Sequence, residues 1–169
     1  MLAAKFNTTK HHLFDGTVYA LAGDGCLMEG VGSEACSFAG HLQLDNLVVI
    51  YDSNDICLDG PISECFTENV AMRFESYGWK VITIDGHNHD EIRQAFNDAK
   101  QADQPVLIEA KTTIGFGSPN RAGTAEAHGK ALGNDEGALT KSALGIPAEP
   151  LFHVPEEVTS FFTDLQKQQ

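Results

Sequence analysis

Asp24 stands between two glycines in Gly23-Asp24-Gly25, and Asn54 follows a second run of apolar, β-branched residues further along the chain. A carboxylate and an amide oxygen are both hard donors. Mg²⁺ prefers about six oxygens, takes only a few from protein, and leaves the rest to water and ligand phosphates. If Asp24 and Asn54 converge, they suit a magnesium ion whose shell is completed by a diphosphate. An isolated Asp-Gly is more often only a tight turn. The strands that must precede both residues weigh against that plainer reading.

Other residues compete for a chemical role. Gly30-x-Gly32-x-x-Ala35 formally matches a dinucleotide-binding fingerprint, with Asp52 where a ribose-binding acid would stand. That makes an NAD-binding Rossmann-type domain the main rival, but Gly30 falls inside an expected helix rather than at the turn leaving a strand. The stretch from Asp52 to Ser63 has the length of a calcium loop, yet Cys57 replaces the required glycine and Ser63 the bidentate glutamate. Of seven histidines, His128 stands out because it lies in a glycine-rich segment, whereas His87 and His89 read as solvated. Glu29 and Glu34 fall in a first helical turn, where acids usually just complement the helix dipole.

The elements that must position these residues alternate. Residues 17–22 read as a buried strand ending in a turn at 23–25, and Val31, Ala35, Phe38, Ala39 and Leu42 repeat at helical spacing across 29–42. A second strand is expected at 46–51, a polar loop at 52–61, and a helix over 68–77 capped by Thr67. A third strand follows at 79–84, a helix at 90–102, and a fourth strand at 105–110. This order predicts the α/β class: an open, mostly parallel sheet with helices on both faces. Neighbouring parallel strands end at one edge, which is what would bring Asp24 to Asn54. Residues 115–137 hold six glycines and one proline without a period, so a long functional loop is expected there. An amphipathic helix is expected over 155–169.

The bulk numbers narrow the function classes. A formal net charge of −13, from 11 basic and 24 acidic residues, leaves no basic stripe for nucleic acid or anionic membrane. Apolar runs such as Leu47-Val48-Val49-Ile50 are strand-length, and the first residues lack a signal peptide's apolar core, so a cytoplasmic protein is expected. At 169 residues and 42% hydrophobic content, one domain is expected. Cys26, Cys36, Cys57 and Cys65 form no C-x-x-C and read as free thiols.

Gly23-Asp24-Gly25-Cys26-Leu27-Met28-Glu29-Gly30, followed by Tyr51-Asp52-Ser53-Asn54-Asp55-Ile56, resembles the thiamine diphosphate motif in its transketolase form. Phe66-Thr67-Glu68-Asn69, Ala71-Met72-Arg73-Phe74, Tyr77-Gly78-Trp79, the run from Lys111 to Asn120, and Ala127-His128-Gly129 extend the resemblance over nearly the whole chain. These later segments resemble transketolase rather than deoxyxylulose-phosphate synthase. The resemblance implies that Asp24, Asn54 and the Ile56 carbonyl ligate Mg²⁺, with Ca²⁺ or Mn²⁺ able to substitute. It also implies that Gly25 and Asn54 lie near the thiamine diphosphate, and that His128 approaches the diphosphate and the substrate. Glu29, and after it Glu34, would meet the partner subunit of a homodimer in a carboxylate network.

The implied activity is that of a transferase of the pentose phosphate pathway, moving a two-carbon ketol unit from a ketose phosphate to an aldose phosphate. One departure stands at Ala125, where family members often carry a second histidine. Transketolases are several times longer, so residues 1–169 would be the later part of the diphosphate-binding domain. An upstream segment, a pyrimidine-binding domain and a C-terminal domain would be missing, and the chain alone would be inactive. The rival from another class is a non-catalytic interaction module.

Overall fold

The computed structural model describes residues 2–167. Four parallel strands form the main sheet: β1 (Val18–Gly23), β2 (Leu47–Ser53), β5 (Lys80–Asp85) and β6 (Val106–Lys111), in the spatial order β1-β2-β6-β5. Between β2 and β5 lies a small antiparallel hairpin, β3 (Ile56–Cys57) and β4 (Gly60–Pro61). Seven helices complete the described chain: α1 (Leu2–Phe6), α2 (Asp24–Met28), α3 (Gly30–His41), α4 (Val70–Ser76), α5 (His89–Ala99), α6 (Asn134–Ala143) and α7 (Glu156–Lys167).

Central strands of a parallel sheet are covered on both faces, so they read as unbroken apolar runs. β2 and β6 behave this way: Val48, Val106 and Leu107 are fully buried. Successive side chains point to opposite faces, and the neighbours Val48 and Val49 accordingly enter different cores. On one face Val49, Tyr51 and Leu107 meet Leu27, Ala39, Val70, Phe74 and Trp79, which places α2, α3 and α4 there. On the other, Val48, Val106 and Ile108 meet Ala95 and Ala99 of α5. α3 can lie close because its packing side is small. A Cβ on Gly40 would stand 1.9 Å from the Tyr77 carbonyl oxygen, and Trp79 Nε1 donates to the Cys36 carbonyl at 2.8 Å.

Several expectations need correction. The turn expected at 23–25 is instead the start of α2, because the chain enters a helix directly from β1. Asn69, not Thr67, caps α4, its side chain accepting the Met72 N–H. The loop expected over 115–137 contains a 3-10 turn at Ala125–Ala127 and gives way at Asn134 to α6. The helix expected over 155–169 is α7, with residues 168 and 169 outside the described residues. No described helix is long and apolar enough to cross a membrane.

Candidate functional site

The strand register sets the site. Gly23 pairs with Asp52, Asp52 with Ala110, and Asp85 with Lys111, so β1, β2, β6 and β5 all end at one edge. Asp24, Asn54 and Thr112 therefore emerge side by side. The Asp24 side chain is almost wholly buried, and each of its carboxylate oxygens is held. The Tyr51 hydroxyl donates to Oδ1 at 2.5 Å, and the Asn54 N–H donates to Oδ2 at 3.3 Å. Burial first, and the bond to Asp24 second, push the Tyr51 phenol far above its ordinary pKa, so its hydroxyl remains a donor.

Asn54 is held as well. Its Oδ1 accepts the Ile56 N–H at 3.1 Å and its Nδ2 donates to Asp52 Oδ2 at 3.3 Å. The Thr112 hydroxyl bonds Asp52 Oδ1 from the neighbouring strand end. An amide oxygen has two lone pairs, so Asn54 Oδ1 retains acceptor capacity. Asp55 takes φ 62°, the left-handed region that Asp tolerates, and this turns the chain into the hairpin. The hairpin partner of Ile56 is Pro61, which has no N–H to give to the Ile56 carbonyl. Asp24, Asn54 and Ile56 thus line one cleft at the sheet edge.

These donors open onto a cleft of about 610 Å³. Four carboxylates line it, those of Asp24, Glu29, Asp52 and Asp59, together with Gly25 and His128, and no Lys or Arg does. His128 follows the 3-10 turn, half-buried, and its Nδ1 is buried without a hydrogen-bond partner. An acidic cleft without a cationic side chain repels a phosphate unless a metal ion intervenes. Among the described residues no group of three or more His, Cys, Asp or Glu is placed to cage a metal alone. The hard oxygen donors and negative charge of this lining are of the kind that suits a cation with further ligands of its own.

A family model described as "Transketolase, thiamine diphosphate binding domain" matches residues 1–169. The chain belongs to this transketolase family. It is 49% identical over 168 residues to a transketolase of Halalkalibacterium halodurans, covering 99% of this chain and 25% of the relative. Transketolase from Leishmania mexicana matches in structure with TM-score 0.90 and 40% identity, over 96% of this chain and 24% of that one. A Pichia stipitis transketolase solved with sedoheptulose 7-phosphate gives TM-score 0.89 at 40% identity, over 99% and 26%. The chain thus spans about a quarter of the length of the transketolases it matches.

Membership removes the dinucleotide rival, and the geometry gives the reason. Gly30 opens α3 after Glu29, one helix removed from the strand end, where a fingerprint glycine has no turn to make. Gly32 is explained by packing, since a Cβ there would lie 3.0 Å from the Cys26 carbonyl oxygen. Of the expected site residues, Asp24, Gly25, Glu29, Asn54, Ile56 and His128 share the cleft. Glu34 does not: it is exposed on α3 beside Ser33, Ser37 and Phe38. His87 is exposed, as the solvated reading expects, yet it is not free: its Nε2 accepts the Thr113 N–H at 2.9 Å and its ring stacks on Phe116 at 4.0 Å.

Two groups near the site escaped notice in the sequence. Arg73 of α4 binds the Leu27 carbonyl at 2.9 Å and Ser33 Oγ at 2.8 Å, fastening α4 to α2 and α3. Glu136 of α6 accepts from Ser118 Oγ, from the Asn120 N–H at 2.9 Å and from Asn120 Nδ2 at 2.8 Å. Arg73 lay inside a quoted motif, and its reach across three helices was the missing information. All four cysteines are free thiols. Burial raises the Cys36 thiol against the opposing charge of Arg73, and burial together with the adjacent Cys57 raises that of Cys65.

Proposed function

We propose that this chain is the diphosphate-anchoring part of a transketolase that moves a two-carbon ketol unit from a ketose phosphate to an aldose phosphate. The observation that carries the proposal is the cleft itself: Asp24, Asn54 and Ile56 line one pocket that is rich in carboxylate and free of basic side chains. Asp24, Asn54 and the Ile56 carbonyl bind Mg²⁺, or Ca²⁺ or Mn²⁺ in its place. Thiamine diphosphate supplies the carbon–carbon bond chemistry when bound. This chain's own side chains bind and orient it. Gly25 presents no side chain toward the diphosphate, and His128 lines the cleft with an imidazole whose Nδ1 is buried and unpaired.

The Pichia transketolases solved with sedoheptulose 7-phosphate and fructose 6-phosphate support sugar phosphates as substrates. Glu29, between α2 and α3, and Glu34, Val31 and Phe38 of α3 are all exposed, which supports their meeting the partner subunit of a homodimer. A cytoplasmic enzyme of the pentose phosphate pathway follows from this reading, with residues 1–169 as part of the cofactor domain. The test is calorimetric titration of the intact enzyme with thiamine diphosphate, with and without Mg²⁺. Asp24→Ala should abolish metal-dependent binding, because the cation loses its only charged protein ligand in the proposed set. Asn54→Ala should weaken it similarly, and parent-like binding by either variant would remove the proposed cation site.

A further inference from the structure

The side of Asp24 that faces away from the cleft is built as carefully as the side that faces it. Tyr51 is 4% exposed and Asp24 3%. The Tyr51 ring packs among Leu27, Val49, Val70, Phe74, Trp79 and Leu107. A hydroxyl buried in such company is costly unless bonded, and a phenylalanine would fill the same space without that cost. The Tyr51 hydroxyl ends 2.5 Å from Asp24 Oδ1.

We propose that Tyr51 is a positioning residue for the metal ion, its hydroxyl fixing the Asp24 carboxylate in the orientation that ligates the cation. This rests on the cation site proposed above. Asp24 leaves β1 at the first residue of a five-residue helix, and neither Gly23 nor Gly25 has a side chain to restrain it. The restraint comes from the neighbouring strand. Tyr51 is the register partner of Ala22, two residues before Asp24. With Oδ1 tied to the phenol and Oδ2 to the Asn54 N–H, the carboxylate plane is set before the ion arrives. Partners that orient a metal ligand in this way typically matter about 10- to 100-fold in metal affinity.

Mg²⁺ demands near-ideal octahedral geometry, whereas Ca²⁺ accepts a looser shell. A residue that only orients a ligand should therefore matter more for Mg²⁺. The experiment is titration of the intact transketolase with Mg²⁺ and, separately, with Ca²⁺, at fixed thiamine diphosphate, followed by calorimetry. Parent, Tyr51→Phe and Asp24→Ala are compared. Tyr51→Phe should raise the apparent Kd for Mg²⁺ about 10-fold, raise that for Ca²⁺ less, and recover full cofactor binding at saturating Mg²⁺. An unchanged Mg²⁺ constant, equal losses for the two ions, or a cofactor defect that excess cation does not repair would overturn the assignment. Asp24→Ala separates the two levels. If it too leaves cation binding intact, the cation site itself fails; if it abolishes binding while Tyr51→Phe is silent, only the positioning role does.

Discussion

His87 secures the start of the segment that leaves β6, and His128 stands near its far end. The first imidazole works through the backbone, accepting the Thr113 N–H and stacking on Phe116; the second has a buried nitrogen with no partner inside the protein. A hydrogen bond to a charged phosphate or a developing alkoxide contributes about 1.5–3 kcal/mol, or roughly 10- to 100-fold in rate. His128→Ala in the intact enzyme should lower kcat/KM by about that factor. His87→Ala should cost about the lower end of a neutral hydrogen bond, near 0.5–1 kcal/mol, and His89→Ala, exposed at the start of α5, nothing measurable. Steady-state kinetics on the three variants checks the ranking, and equal small effects would return His128 to an ordinary loop residue. Asp24 and Asn54 were legible in the sequence because each follows a strand, and parallel strands share an edge. Tyr51 and His87 were not, because their partners lie 27 and 26 residues away and only the sheet register brings them together.

At the scale of elements, the segment after β6 owes its shape to Glu136. Three hydrogen bonds from Asn120 and Ser118 converge on that carboxylate, tying α6 back to the start of the glycine-rich stretch that carries His128. The Asn120 side chain, then the Ser118 hydroxyl and the Asn120 N–H, hold the Glu136 carboxyl below its ordinary pKa. A carboxyl lowered in the folded state stabilises fully above its unfolded pKa, and that contribution fades as pH falls through the lowered folded value. The segment should therefore stay closed at neutral pH and loosen only on the acid side of the usual glutamate range. Hydrogen exchange over residues 115–130 reads this directly: Glu136→Ala should show at neutral pH the faster exchange that the parent reaches only in acid. Unchanged exchange in the variant would mean that the turns hold themselves. α6 was hidden in the sequence because Gly137 sits inside it, at a cost near 1 kcal/mol relative to alanine, while its bonds to Ser118 and Asn120 join residues 16 and 18 positions apart. The four strands, by contrast, were readable from runs of Val, Ile and Leu, with boundaries displaced by a residue or two.

Across the whole molecule, large apolar side chains stand exposed on β1 and α3. Leu21 is 78% exposed on β1, an edge strand of a parallel sheet, and Val31 and Phe38 are exposed on α3. Parallel sheets are ordinarily covered, and contiguous exposed apolar residues mark contact surfaces. The cleft has a matching incompleteness of charge. On the function proposed above its four carboxylates and single imidazole hold a cation and, through it, a diphosphate, but no Lys or Arg lines it to anchor the phosphate of a sugar. On that function, anchoring of the sugar phosphate therefore has to come from outside this cleft. The purified 169-residue chain, given thiamine diphosphate, Mg²⁺, a ketose phosphate donor and an aldose phosphate acceptor, should therefore show no ketol transfer in a coupled assay. Turnover by that chain would mean that the acidic cleft is a complete active site, and that the open faces of β1 and α3 have no bearing on catalysis.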